Sequence, residues 1–187
     1  IYYGNSHSDD GRMRAVYADG TEKWEFNTDF QTYSPPVIGA DGTVYEGGWG
    51  KGLYAVTPSG SRKWVYSIAY DFVESPPAIG PDNTIYAAQK AGYIHAVRPD
   101  GTRKWLYEPS KKETYAGMIV GPDNTVYYPH GSGTLYAIDS DGDVAWTYTD
   151  FHTKTTPVLG EDNTLYFANG VGQVFALGSA DGSVKWK

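Results

Sequence analysis

Apolar and polar residues alternate over short stretches of this chain, and Asp-Gly, Asp-Asn or Ser-Gly pairs interrupt the alternation at regular intervals. A period of two in segments rich in Val, Ile, Tyr and Trp predicts half-buried β-strands joined by tight turns. Residues 77–107 show the unit well. Pro77-Ala78-Ile79 predicts a brief strand, ended by the turn Gly80-Pro81-Asp82-Asn83, and Thr84-Ile85-Tyr86-Ala87 predicts a second. After a loop at Gln89-Lys90-Ala91-Gly92 comes a third, Tyr93-Ile94-His95-Ala96-Val97. The turn Pro99-Asp100-Gly101-Thr102 then leads into a fourth, Arg103-Lys104-Trp105-Leu106-Tyr107. No long segment carries a 3.6-residue apolar period, so the fold class is all-β with almost no helix.

The unit recurs. Trp24, Trp64, Trp105, Trp146 and Trp186 stand 40 or 41 residues apart, and only Trp49 lies outside the series. Columns of Ala15, Ala55, Ala96, Ala137 and Ala176, of Tyr45, Tyr86, Tyr127 and Tyr166, and of Gly39, Gly80, Gly121 and Gly160 keep the same register. Four antiparallel strands repeated every ~40 residues are the mark of a β-propeller blade, which covers its two faces by stacking on its neighbours. We place the repeats at about 1–33, 34–74, 75–115, 116–154 and 155–187, as one propeller domain or part of a larger one. The first repeat lacks its inner strand. That gap favours a part of a longer chain over a closed five-blade ring. The Trp and Ala columns suggest a further rule: a large flat residue on one blade needs a small residue facing it on the next.

Composition narrows the function classes. The 187 residues contain no cysteine, which excludes a disulfide scaffold, a cysteine-ligated zinc finger and a catalytic thiol. A net charge of -7 argues against nucleic acid as a partner. No apolar run approaches the ~20 residues of a membrane-spanning helix. An extracellular or periplasmic setting is expected, since a cysteine-free chain suits either.

The recurring Gly-x-Leu-Tyr-Ala-Val/Ile, Asp-Gly turn and Lys-Trp-x-Tyr/Phe is clear in Gly133-Thr134-Leu135-Tyr136-Ala137-Ile138, Asp141-Gly142 and Trp146-Thr147-Tyr148. It resembles the repeat of the quinoprotein (PQQ-like, BamB-like) β-propellers, and the resemblance covers essentially the whole chain. It lacks the Gly-His opening and Trp-Asp ending of WD40 repeats. The resemblance implies that the Trp column is structural, each indole docking on the neighbouring blade. It also raises a quinoprotein dehydrogenase, which would need a Ca²⁺ site, a catalytic Asp and commonly a vicinal cysteine pair. None of these is recognisable, so the expectation is a non-enzyme without cofactor or metal.

Calling the strands a to d from the central channel outward, as the resemblance implies, the a–b and c–d turns are nearly uniform while the d–a and b–c loops vary freely. In an up-and-down blade the two variable sets emerge on one face, and loops on a rigid scaffold are where binding usually resides. The candidate ligand residues there are Tyr33, Trp49, Tyr70, Phe72, Tyr115, His130, Phe151 and His152. Aromatics of this kind anchor proteins or sugars, and their competing role is packing over strand a. Asp139-Ser140-Asp141-Gly142-Asp143 has the carboxylate spacing of part of a calcium loop, but it falls on the c–d turn every repeat makes. His95 sits in a column with Tyr54, Tyr136 and Phe175 and reads as a planar core filler; His7, His130 and His152 belong to loops of different blades.

The leading expectation is a protein-binding or scaffold module acting through the variable face. The alternative is a lectin-like carbohydrate-binding propeller, although its pocket would repeat from blade to blade and these loops do not. A purely architectural segment is the third class. Further blades of a parent chain, or self-association, are the expected structural partners.

Overall fold

Each repeat folds into its own antiparallel sheet, with strands in chain order. The computed structural model describes the chain apart from residues 5–10, 29–30, 33, 50–51, 69–72, 74, 110, 115 and 150–154. The first sheet has three strands, β1 (Tyr2–Gly4), β2 (Arg12–Val16) and β3 (Glu22–Asn27). Four-stranded sheets follow: β4 (Val37–Ile38), β5 (Val44–Gly48), β6 (Gly52–Val56) and β7 (Arg62–Ser67), then β8 (Ala78–Ile79), β9 (Ile85–Ala88), β10 (Ile94–Val97) and β11 (Arg103–Tyr107). The fourth comprises β12 (Ile119–Val120), β13 (Val126–His130), β14 (Thr134–Ile138) and β15 (Val144–Tyr148). The fifth comprises β16 (Val158–Leu159), β17 (Thr164–Ala168), β18 (Val174–Gly178) and β19 (Val184–Trp186). The described residues contain no helix.

The residue columns are rows across each sheet. Ala78, Tyr86, Ala96 and Trp105 lie side by side on the four strands of the third sheet, and the other blades repeat the row. The alanine is small enough for the Tyr and Trp rings to meet over it, with centroids 5.6 Å apart for Tyr86 and Trp105 and for Tyr45 and Trp64. After every one of these alanines the pairing shifts register by a β-bulge, as between Ala55 and Val56. Such a bulge sharpens strand twist and aims the following c–d turn.

The indole then reaches the next blade. Trp24, Trp64, Trp105 and Trp146 donate Nε1–H to the carbonyl oxygens of Pro58, Pro99, Ser140 and Ser179 at 3.0, 2.9, 3.0 and 2.9 Å. Docking on the neighbour is thus a real contact, but the small residue that receives the ring is not the alanine. It is the glycine of the neighbour's c–d turn: a Cβ at Gly60, Gly101, Gly142 or Gly182 would lie 2.6–2.8 Å from the incoming indole. These glycines also sit at positive φ, so the turn excludes a side chain twice over. Between sheets the core is apolar: Tyr45, Leu53 and Ala55 of the second blade meet Ile85, Ala87 and Val97 of the third. The fourth and fifth blades meet similarly, through Tyr127, Leu135, Leu165 and Phe175.

The a–b turns share one device. Asp41, Asp82, Asp123 and Asp162 accept a hydrogen bond from the backbone N–H two residues on, at 2.9–3.1 Å. Asn83, Asn124 and Asn163 take the positive φ that Gly42 supplies in the second blade. Replacing Asp123 with Ala removes the bond to Thr125 and is expected to cost about 1 kcal/mol, read as a shift in denaturant midpoint. A change in binding with no change in stability would show a different role for this rim.

Candidate functional site

The two rims of the blade stack differ chemically. On one, the a–b and c–d turns are occupied by blade joints. Beyond the four indole bonds, the Asp82 N–H donates to Asn124 Oδ1 of the next blade at 3.2 Å, and the Tyr127 hydroxyl donates to the Ser179 carbonyl at 3.2 Å. Asp41 is held down to about 2 by the Thr43 N–H, and by Lys63 at 2.9 Å. A cleft of about 400 Å³ opens here beside Asp41, Tyr45, Ile79 and Asn83, but its carboxylate is already committed to Thr43 and Lys63. Asp139 accepts bonds from the N–H groups of Asp141 and Asp143, both at 3.0 Å, so this carboxylate shapes its c–d turn.

On the other rim the d–a connections lie against the b–c loops. The Trp49 N–H donates to Gln31 at 2.9 Å, Lys112 to Ala91 and Thr114 to Lys90 at 3.1 Å, all between backbone groups. The Thr114 hydroxyl accepts from the Gly131 N–H at 2.9 Å, and Tyr54 reaches the Thr28 carbonyl through its hydroxyl. These bonds join the loops of successive blades into one face.

Of the candidate ligand residues, Trp49 is on this face and 45% exposed. His130 corrects its expected position: it closes strand β13 and is buried, rather than standing in an open loop. Its Nδ1 is 2.8 Å from the Ser132 hydroxyl, its ring contacts Tyr128 and Tyr136, and it fills the space a side chain at Gly92 would need. From there its ring packs against the loop beside it. Tyr33, Tyr70, Phe72, Tyr115, Phe151 and His152 lie outside the described residues, as does His7. His95 is the planar filler its column implies, bonded to the Tyr66 hydroxyl and Gln89 Oε1, both at 3.1 Å.

One group escaped the sequence reading. Glu46, on β5, is fully buried against Gly4 and Thr32, and among the described residues neither carboxylate oxygen has a hydrogen-bond partner. Burial pushes its pKa up to about 8. The Thr32 hydroxyl lies close enough to oppose that shift slightly, without the geometry of a hydrogen bond. A cavity of about 340 Å³ adjoins, lined by Tyr2, Tyr3, Gly4, Thr32, Ser34 and the Pro35-Pro36 pair. The signal available was a charged residue at the third position of β5, in a column otherwise formed by Ala87, Tyr128 and Phe167. Among the described residues no three His, Asp or Glu side chains gather closely enough to hold a metal ion. No helix of the described residues is long and apolar enough to cross a membrane.

Similarity to known proteins agrees with this architecture. The BamB structure from Moraxella catarrhalis superposes with a TM-score of 0.68 at 17% identity, covering 98% of this chain and 68% of that one. The C-terminal WD40 domain of Sif2 superposes with a TM-score of 0.79 at 15% identity, covering 98% of this chain and 55% of that one. A protein of unknown function from Bacteroides caccae gives 0.67 at 14% identity, covering 99% and 70%. At such identities the likeness shows the propeller fold alone. No curated protein sequence matches. The family profile described as outer membrane protein assembly factor BamB matches residues 5–148 and 90–187, and the chain therefore belongs to this BamB-like family of PQQ-like propellers.

Proposed function

We propose that this propeller is a non-catalytic module that binds a protein partner, in a periplasmic or extracellular setting, through the face built from its d–a and b–c loops. One observation carries the reading. The turn rim is occupied by indole and Asx contacts that hold the blades together, whereas the opposite face carries the half-exposed Trp49. A large aromatic held by backbone bonds on a rigid blade is the kind of anchor that dominates protein interfaces. The family profile is named for a protein assembly factor, which supports a binding role and gives no catalytic step. The loops differ from blade to blade, which favours one composite surface over a repeated sugar pocket.

The test is site-specific photocrosslinking in a periplasmic extract, with benzoylphenylalanine at position 49 or, as control, at position 123. A defined protein adduct from position 49 and none from 123 is the expected result. Adducts confined to position 123 would overturn the assignment, as would selective glycan capture lost in Trp49→Ala.

A further inference from the structure

We infer that the cleft between the second and third blades, on the turn rim, is a binding site for a primary carboxamide, carried by a small free amide or by an asparagine side chain of a peptide. The site lies on the rim opposite the face proposed for a protein partner and does not depend on that reading. Its chemistry follows from the two joints that come after it in the blade stack.

Each of those joints is bridged at this level by one polar group. Between the third and fourth blades Asn124 extends its carboxamide across the boundary. Its Oδ1 accepts the Asp82 N–H at 3.2 Å and lies 2.5 Å from where a Cβ on Gly80 would stand. Between the fourth and fifth blades the Tyr127 hydroxyl donates to the Ser179 carbonyl at 3.2 Å. The second and third blades carry the counterparts of both bridges: Asn83 and Asp41 for the first, Tyr45 and Pro99 for the second. Among the described residues neither bridge forms there, since Asn83 makes no bond to Asp41 and Tyr45 none to Pro99. The three atoms nearest a Cβ on Gly39, the counterpart of Gly80, all belong to its own blade. A cleft of about 400 Å³ stands in their place, lined by Asp41, Tyr45, Ile79, Asn83 and Pro99. That is within the size range of small-ligand sites.

A primary carboxamide supplies both missing bridges at once. Its oxygen accepts from the Asp41 N–H as Asn124 does from Asp82. Its NH₂ donates to the Pro99 carbonyl, which has a second lone pair beside the one taken by the Trp64 indole at 2.9 Å. Tyr45 and Ile79 give an apolar wall for the group that carries the amide. Charge selects against the nearest alternatives. The Thr43 N–H and Lys63 hold Asp41 ionised, and Lys63 pairs with it at 2.9 Å, so the cleft offers an ion no net charge. A carboxylate would face Asp41 and bring no proton for Pro99, and an ammonium could not accept from the Asp41 N–H.

Two-dimensional amide NMR of isotope-labelled protein tests the site at neutral pH, by titration with acetamide, N-acetylasparagine N-methylamide and N-acetylaspartate N-methylamide. Saturable shifts of the Asp41 and Gly42 amides are expected with both carboxamides, and binding about tenfold weaker or worse with the aspartate derivative. Acetamide binding as tightly as the asparagine derivative would identify a free amide as the source, and tighter binding of the derivative an asparagine residue; either supports the site. Ile79→Phe fills the cleft from the third blade and is expected to abolish the shifts. Asn124→Gly, at a positive φ that Gly42 adopts in the second blade, empties the next joint. Acetamide is then expected to shift the Asp82 amide, which it leaves unmoved in the wild type. The inference is overturned if neither carboxamide shifts Asp41, or if the aspartate derivative binds as tightly as the asparagine one. It is equally overturned if Ile79→Phe retains the shifts, or if acetamide leaves Asp82 unmoved in Asn124→Gly.

Discussion

Replacing Trp105 with Ala is expected to lower stability by about 3 kcal/mol, the low end of the range for truncating a large aromatic because the indole is only half-buried. Three losses combine. The ring leaves Tyr86, with which it is in contact at 5.6 Å; it uncovers Gly142 of the next blade; and it abandons the bond to the Ser140 carbonyl. The last two cross a blade boundary, so the substitution weakens the stack as well as its own sheet. Gly142→Val attacks the same joint from the other side, since its Cβ would lie 2.8 Å from the indole and its φ of 96° is unfavourable to any β-branched residue. Trp49→Ala should cost under about 1 kcal/mol, as expected for an exposed side chain. Urea midpoints of the three variants decide the matter. Equal losses at positions 49 and 105 would mean that the division between joint and loop tryptophans is wrong.

The joint shows how far the sequence could be read. The Trp, Tyr and Ala columns were visible because strand registers repeat every 40 or 41 residues, and all are inward-facing members of one row. The partner of the Trp was not, because the turn glycines recur with the same period as the alanines. Periodicity alone cannot tell a residue beside the ring in its own sheet from one beneath it in the next. The β-bulge after each alanine was hidden for a related reason: an extra residue in one strand leaves the alternation on both sides intact. The turns were legible because Asp and Asn there act locally, through bonds two residues away.

The face proposed for binding was legible only as variation. Loop sequences that differ from blade to blade announce freedom from scaffold constraints, but not which side chains point outward. His130 illustrates the gap. A polar residue next to Gly131-Ser132-Gly133 reads as loop, yet the strand runs on through it because Gly131 and Thr114 close the ladder beyond. Glu46 illustrates the converse. Its strand alternates as its neighbours do, and only comparison with the column of Ala87, Tyr128 and Phe167 marks it as a carboxyl in a place built for uncharged side chains.

That carboxyl gives the molecule a definite pH dependence. Glu46 has a folded pKa of about 8, above the ordinary 4.5, because burial between the first two blades penalises its charged form. A raised carboxyl pKa means the folded state holds a proton the unfolded chain releases. The stability linked to this group is therefore fully present below about pH 4.5, and it falls as pH rises, levelling off above about 8. At 1.4 kcal/mol per unit the loss across that window has a ceiling of about 5 kcal/mol. Glu46→Gln keeps the shape of the protonated side chain and removes the titration. The variant is expected to match the wild type near pH 4.5 and to exceed it by several kcal/mol, within that ceiling, above pH 8. Because the group sits against Gly4 and Thr32, the loss should fall first on the joint between the first and second blades. Hydrogen exchange at pH 8 should show faster exchange in β1 and β5 of the wild type than of the variant. Urea unfolding at pH 5 and pH 8.5 measures the global effect. Stability profiles of wild type and variant that run parallel across this range would show that Glu46 is ionised in the fold, with a partner that its buried position does not reveal.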